Sequence, residues 1–227
     1  MAGLDQPISL KYFDLKGHGG LCGLGGGIRF FFYTQGIQFS DETVVLDEWK
    51  AGLKQEAMKS GQTITGHLPI VRFGGRSYIE SNAALRLASR RLGLYGTDAE
   101  ADYCVDMAAD IIVEARSAWH DAAVAGPEAR EAYCSAPDRR KHQYQVLNAL
   151  IAQSKGQGPH VIGSSSTFVD AVLFALLWDD VVLFKGDEYL WTANPHLELF
   201  FKSYLQQPKV AEWCRSMRPD LVEGSAS

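Results

Sequence analysis

The sequence predicts a small mixed α/β unit followed by an all-helical one. Three observations carry this. Short extended runs alternate with helix-like segments up to Gly93; Gly74-Gly75 separates two β-rich runs; and from Asp98 onward apolar residues recur at helical spacing with no convincing strand between them. Strands alternating with helices, then a hairpin and a helix, make a sheet of the thioredoxin kind, and the second half makes a helical bundle. The expected domains are 1–93 and 98–222. They meet at LGLYGTD, whose glycines and Asp98 read as a helix stop, a short linker and a new N-cap.

In chain order, Ile8 to Phe13 is extended, a glycine-rich loop spans 17–27, a helix runs from Ile28 to Gln35, and Gln38 to Val45 is extended again. Thr65 to Arg91 then reads as strand, tight turn, strand and helix. Glu80-Ser81 opens that helix, and its apolar stripe includes Ala84, Leu85 and Ala88. Helical spacing marks Asp98 to Ala125, Arg139 to Ser154, Thr167 to Phe184 and His196 to Gln206. Thr167 and Asp170 form a capping-box-like start before an apolar run, and Glu223 to Ser227 is a frayed polar tail.

Composition narrows the function. A chain of 227 residues with 46% hydrophobic residues has an ordinary globular balance. Its net charge of −5, from 22 basic and 27 acidic residues, offers no attraction to nucleic acid or an anionic membrane. The run Val169 to Phe184 is too short and, with Asp170, Asp179 and Asp180, too charged to span a bilayer. Four scattered cysteines with no C-x-x-C pair, and a start unlike a signal peptide, fit a reducing cytoplasm.

The chemistry legible in these residues is a cradle for an amino-acid-like ligand. A helix start presents unpaired N–H groups and positive dipole, and Ser81 adds a hydroxyl, so a carboxylate fits there. An ordinary N-cap role for Ser81 fits equally. A cis Leu68-Pro69 bond would leave the backbone of Leu68 free to pair with a peptide ligand as an added strand does. In the glycine-rich loop neither G-x-G-x-x-G nor a P-loop can be spelled, which argues against a nucleotide site. That loop either reshapes a pocket mouth or is a surface insertion.

The motifs KYFDLKG, EWKAGLK, GHLPIV, YIESNAALRLASRRLGLYG, VDMAADIIVEAR, STFVDAV and LQQPKVAEW span nearly the whole chain. Together they resemble the cytosolic glutathione transferases, in the tyrosine-type group that contains the alpha, mu, pi and sigma classes, with pi-like and sigma-like features. The resemblance implies that the first domain holds glutathione and the second supplies a hydrophobic substrate pocket. It implies a glutathione S-transferase that directs glutathione thiolate at a small hydrophobic electrophile. Glutathione-dependent isomerisation, of a cis-trans or prostaglandin type in a biosynthetic pathway, and a noncatalytic carrier are the alternatives. A homodimer with no metal is also implied, serving detoxification or secondary metabolism.

The resemblance also assigns residues. Tyr12 is the catalytic tyrosine: a thiol with pKa of about 8.5 is mostly protonated at neutral pH, and a phenolic O–H aimed at sulfur stabilises the thiolate. Glu80 and Ser81 hold the γ-glutamyl end. Leu68, before Pro69, pairs with the cysteinyl part, with His67 beside it, and His18 stands where many relatives have arginine. Trp49 and Lys54 reach the glycine end, Lys50 and Lys59 being alternatives to Lys54. Asp106, Asp110 and Glu114 share a helix face; this is either a solvated stripe or a set of acids, Glu114 foremost, reaching glutathione on the other subunit. Arg86 and Arg90 would meet these acids across a two-fold axis. Phe13, Arg116, Trp119 and His120 are the pocket candidates. Thr65 and Val124 depart from the pi pattern, lacking its aromatic dimer key and its pocket tyrosine.

Overall fold

The computed structural model describes residues 4–153, 160–184 and 188–223. Its sheet has four strands in the order β2-β1-β3-β4. β1 (Ser9–Phe13) is parallel to β2 (Ser40–Val44) and antiparallel to β3 (Ile70–Phe73), which pairs antiparallel with β4 (Arg76–Tyr78). Alternation along β1 buries Leu10 and Tyr12 on one face. Gly74 and Gly75 make the two-residue turn between β3 and β4, with φ of 56° and 71°, the left-handed pair that matches strand twist.

Between β1 and β2 the structure corrects the sequence expectation. After a single 3-10 turn at Lys16–His18, α1 (Gly23–Thr34) begins at Gly23 rather than Ile28, so the run GLGGG is helix and not loop. Glycine costs about 1 kcal/mol per interior helical position relative to alanine, so the run reads as loop. Close approach explains the glycines. A Cβ at Gly25 would lie 2.5 Å from Cγ of Tyr12, one at Gly26 would strike Cys22, and one at Gly27 would lie 3.3 Å from Val172.

Short helices α2 (Leu46–Glu48) and α3 (Lys54–Lys59), joined by a π turn at Trp49–Leu53, follow β2. α4 (Ser81–Leu92) ends on left-handed Gly93, and α5 (Ala99–Val124) opens with the Asp98 carboxylate accepting the Ala101 N–H at 2.9 Å. Then come α6 (Pro127–Ser135), α7 (Arg140–Gln153), α8 (Phe168–Phe184), α9 (Glu188–Ala193), α10 (Pro195–Leu205), α11 (Pro208–Met217) and α12 (Pro219–Glu223). No strand follows Gly93 among the described residues. The expected helix end at Ser154 and the tail residues 224–227 lie outside them. The sequence reading passed over α6 and α11, although both carry proline in the first turn, a helix-start signal.

α8 is the hub of the core. It is buried almost all round and packs on α1 and α5. The capping box is formed: Asp170 accepts the Thr167 N–H at 2.7 Å and its hydroxyl at 3.1 Å, and also takes the Val161 N–H at 2.8 Å. Asp180 accepts from Arg140 at 2.6 Å and Tyr144 at 2.7 Å, so this charge is buried with partners. No described helix is long and apolar enough to cross a membrane.

Candidate active site

Three candidate segments converge at one end of the sheet. β1 pairs Lys11 with Ile70, and β3 pairs Val71 with Tyr78. Continuing those registers sets Tyr12 and Glu80 on either side of Pro69. The Leu68–Pro69 bond is cis, and neither N–H nor C=O of Leu68 joins a backbone hydrogen bond among the described residues.

Tyr12 is buried beneath the first turn of α1, and its hydroxyl oxygen accepts the Leu24 N–H at 3.0 Å. Burial raises its pKa, against the opposing pull of that N–H, so the phenol keeps its proton and stays a donor. Cys22, next to it in space, is fully buried, and desolvation with the Asp179 carboxylate holds its thiol well above the usual range. It is not a nucleophile at neutral pH.

A cavity of ≈ 410 Å³ opens between α1, α4, α5 and α8, and Gly23, Leu24, Glu80, Ser81 and Arg116 all face it. Glu80 precedes α4 with φ of 61°, a left-handed conformation uncommon outside glycine, and no side chain caps that helix start. The N–H groups of the first turn are therefore open beside the Ser81 hydroxyl. Tyr12 is absent from the lining; Gly23 and Leu24, which cover its hydroxyl, are present.

The other assigned residues fall in different places. Trp49 is buried and spends its indole N–H on the Gly66 carbonyl at 3.3 Å, so it secures the turn before Leu68 instead of offering that donor to a ligand. The stem of Lys54 lies over Gly66, which has no Cβ to obstruct it, and the Lys54 ammonium has no ion pair among the described residues. Lys50 and Lys59 are exposed on neighbouring turns. His67 and His18 are both exposed, and the His67 N–H bonds the Thr65 hydroxyl oxygen at 3.3 Å.

On α5, the acids and arginines meet within one chain. Arg86 reaches Asp106 at 2.7 Å and Asp110 at 3.1 Å, and Arg90 reaches Asp102 at 2.8 Å. Asp110 lines the cavity, whereas Glu114 is exposed and outside it.

Of the four pocket candidates only Arg116 faces the cavity. Trp119 is core, edge-on to Phe184, because its position on α5 turns inward. His120 is 63% exposed beside Asp121, and Phe13 packs edge-on against Trp49 beside a different cavity at α11. Sequence reasoning missed Asp179. Fully buried, it accepts the N–H of Cys22 at 2.6 Å and of Gly23 at 3.0 Å, and pairs with Arg116 at 2.7 Å. An acid inside an apolar helix was the available signal. Among the described residues no His, Cys, Asp and Glu cluster could hold a metal.

A profile described as "Glutathione S-transferase, C-terminal domain" matches residues 115–217. Glutathione S-transferase P of Homo sapiens is 28% identical over 217 residues, covering 95% of this chain and 94% of that protein. Glutathione S-transferase 1 of Ascaris suum is 27% identical, covering 90% and 93%. The solved pi-class glutathione S-transferase of Onchocerca volvulus superposes with a TM-score of 0.78 at 23% identity, covering 95% of each chain, a likeness of fold. Sequence similarity over 95% of the chain, a matched C-terminal domain and a shared fold make the chain similar to the glutathione transferases.

Proposed function

We propose that the chain is a tyrosine-type glutathione transferase that adds glutathione thiolate to a small hydrophobic electrophile. The observation that carries this is the row Tyr12, Pro69, Glu80 across one end of the sheet, with Ser81 and the open head of α4 beside it. Such a row presents a phenol, an unpaired backbone and a carboxylate cradle in the order of a tripeptide thiol. The Tyr12 oxygen accepts from Leu24, so its own proton is left to donate. Donated to sulfur, it lowers the thiol pKa and supplies a nucleophile without a metal. Lys54 offers its ammonium to the glycine carboxylate, and the apolar side chains Leu24, Val113 and Val172 line the adjoining cavity.

A cytoplasmic homodimer is part of the proposal. Ile64 is 82% exposed, the most exposed large apolar side chain among the described residues, and a partner subunit would cover it. Light scattering that gives the mass of a single chain would remove the dimer.

Ultraviolet thiolate absorbance of bound glutathione, titrated against pH, tests the mechanism. The wild type is expected to lower the thiol pKa below its free value of about 8.5–9, and Tyr12→Phe to restore it. An unlowered pKa in the wild type would sink the reading. Product formed without consumption of glutathione would transfer it to isomerisation by the same thiolate.

A further inference from the structure

The polar groups that face the ≈ 410 Å³ cavity are Glu80, Ser81, Asn82, Arg86, Asp110 and Arg116. Two are cations, and they differ in what remains to be bonded. Arg86 is engaged with both Asp106 and Asp110. Arg116 gives one N–H to Asp179, stacks its guanidinium 5.2 Å from the Trp119 ring, and has no other hydrogen-bond partner among the described residues. A guanidinium carries five donors, so most of this one is unspent.

Its position is fixed. Asp179 is held by the backbone N–H groups of Cys22 and Gly23, and the Arg116 side chain is only 12% exposed. A half-occupied, immobilised guanidinium at the floor of a cavity is a preorganised carboxylate receptor, because the entropy of ordering the arginine is spent in folding. The same cavity carries the opposite charge on Glu80, which has no ion pair among the described residues, and on Asp110. One cavity with a carboxylate that has no ion pair among the described residues and a guanidinium with unspent donors matches the two charges of an α-amino-acid head group.

We infer that Arg116 binds the α-carboxylate of the γ-glutamyl group of glutathione, together with Ser81 and the open N–H groups of α4, while Glu80 takes the ammonium. This rests on the glutathione reading above and adds a ligand contact from the helical half of the chain. It also gives the buried Asp179 a purpose: this carboxylate aims Arg116 at the cavity.

Calorimetric titration with glutathione and with 4-aminobutyryl-cysteinyl-glycine, the same peptide without the α-carboxylate, tests it. The wild type is expected to prefer glutathione by about 10- to 100-fold, the effect of one charge-assisted contact or two. Arg116→Gln should remove most of that preference by weakening glutathione while leaving the analogue nearly unchanged. A loss shared equally by both peptides, or an unchanged preference, overturns the assignment. Arg116→Gln leaves Asp179 unpaired; if it does not fold, Val113→Glu decides. Val113 lines the same cavity and is 46% exposed, so the variant sets a competing carboxylate there without touching the buried pair. It should weaken glutathione alone, and equal behaviour toward the two peptides overturns the assignment. A wild type that binds no glutathione refutes the proposed function itself; a wild type that binds both peptides equally refutes only this assignment.

Discussion

The hydroxyl oxygen of Tyr12 and the backbone N–H of Leu24 are 3.0 Å apart, which locks the phenol beneath the first turn of α1. The contact exists because α1 begins in glycine. With any side chain at Gly23 or Gly25, the helix start would be pushed off the ring.

Gly25→Ala is therefore expected to displace Tyr12. Overpacking of this kind costs about 1–3 kcal/mol, and kcat/KM for conjugation should fall by about 10-fold or more if the ring leaves its place. Gly17→Ala is the control, since a Cβ there meets nothing within 4 Å and its φ is not left-handed. Steady-state kinetics and thermal melting of both variants check this; equal behaviour would refute it.

Trp49 and Lys54 separate packing from binding. Trp49→Phe loses the hydrogen bond to Gly66 and should cost about 1 kcal/mol of stability, with little change in KM for glutathione. Lys54→Met keeps the apolar stem over Gly66 but removes the charge, and should raise KM several-fold at unchanged stability. Urea denaturation beside initial rates distinguishes the two.

Asp180 is the acceptor for both Arg140 and Tyr144 inside the helical half. Asp180→Ala removes the carboxylate that accepts from a buried guanidinium and a buried phenol and is expected to cost about 3–5 kcal/mol, seen as a lower urea midpoint. Since the pair does not face the candidate site, the folded fraction should retain its KM for glutathione.

His160 gives a pH dependence with a definite sign. Its Nδ1 is 3.6 Å from the Asp170 carboxylate, which raises the imidazole pKa against partial desolvation. A raised folded pKa adds stability that is fully present below the unfolded value, about 6.5, and is lost as pH rises through the folded one. The wild type should thus melt above His160→Gln at about pH 5.5, and the difference should shrink by about pH 8. A difference that grows with pH would contradict the pairing.

Local signals made part of this molecule legible. Gly74-Gly75, the Thr167–Asp170 box and Glu80-Ser81 each act over a few residues, so sequence spacing reports them directly. Arg116 and Asp179 are 63 positions apart, and nothing in either neighbourhood announces the other. The head of α1 was misread for a related reason: intrinsic propensity sends GLGGG to a loop, while the contacts with Tyr12, Cys22 and Val172 that reverse the preference are tertiary. On α5, 3.6-residue periodicity puts Asp106 and Asp110 on one face, but only the structure shows that Arg86 of the same chain takes both.

The glycine face of α1 lies directly on α8, at Gly27 against Val172, and the backbone of Cys22 and Gly23 is tied to Asp179 of that helix. The head of this helix is bare of side chains, and its second half carries Ile28, Phe30, Phe31 and Phe32, all buried. Cut from its neighbour, the N-terminal half would expose Phe30 and the backbone of the glycine run to water, and in the other half the buried Asp179 would lose the two backbone N–H donors of Cys22 and Gly23 and keep only Arg116. The two halves differ in architecture yet are expected to melt as one cooperative unit, and a fragment ending at the linker between them to be a poorly folded chain.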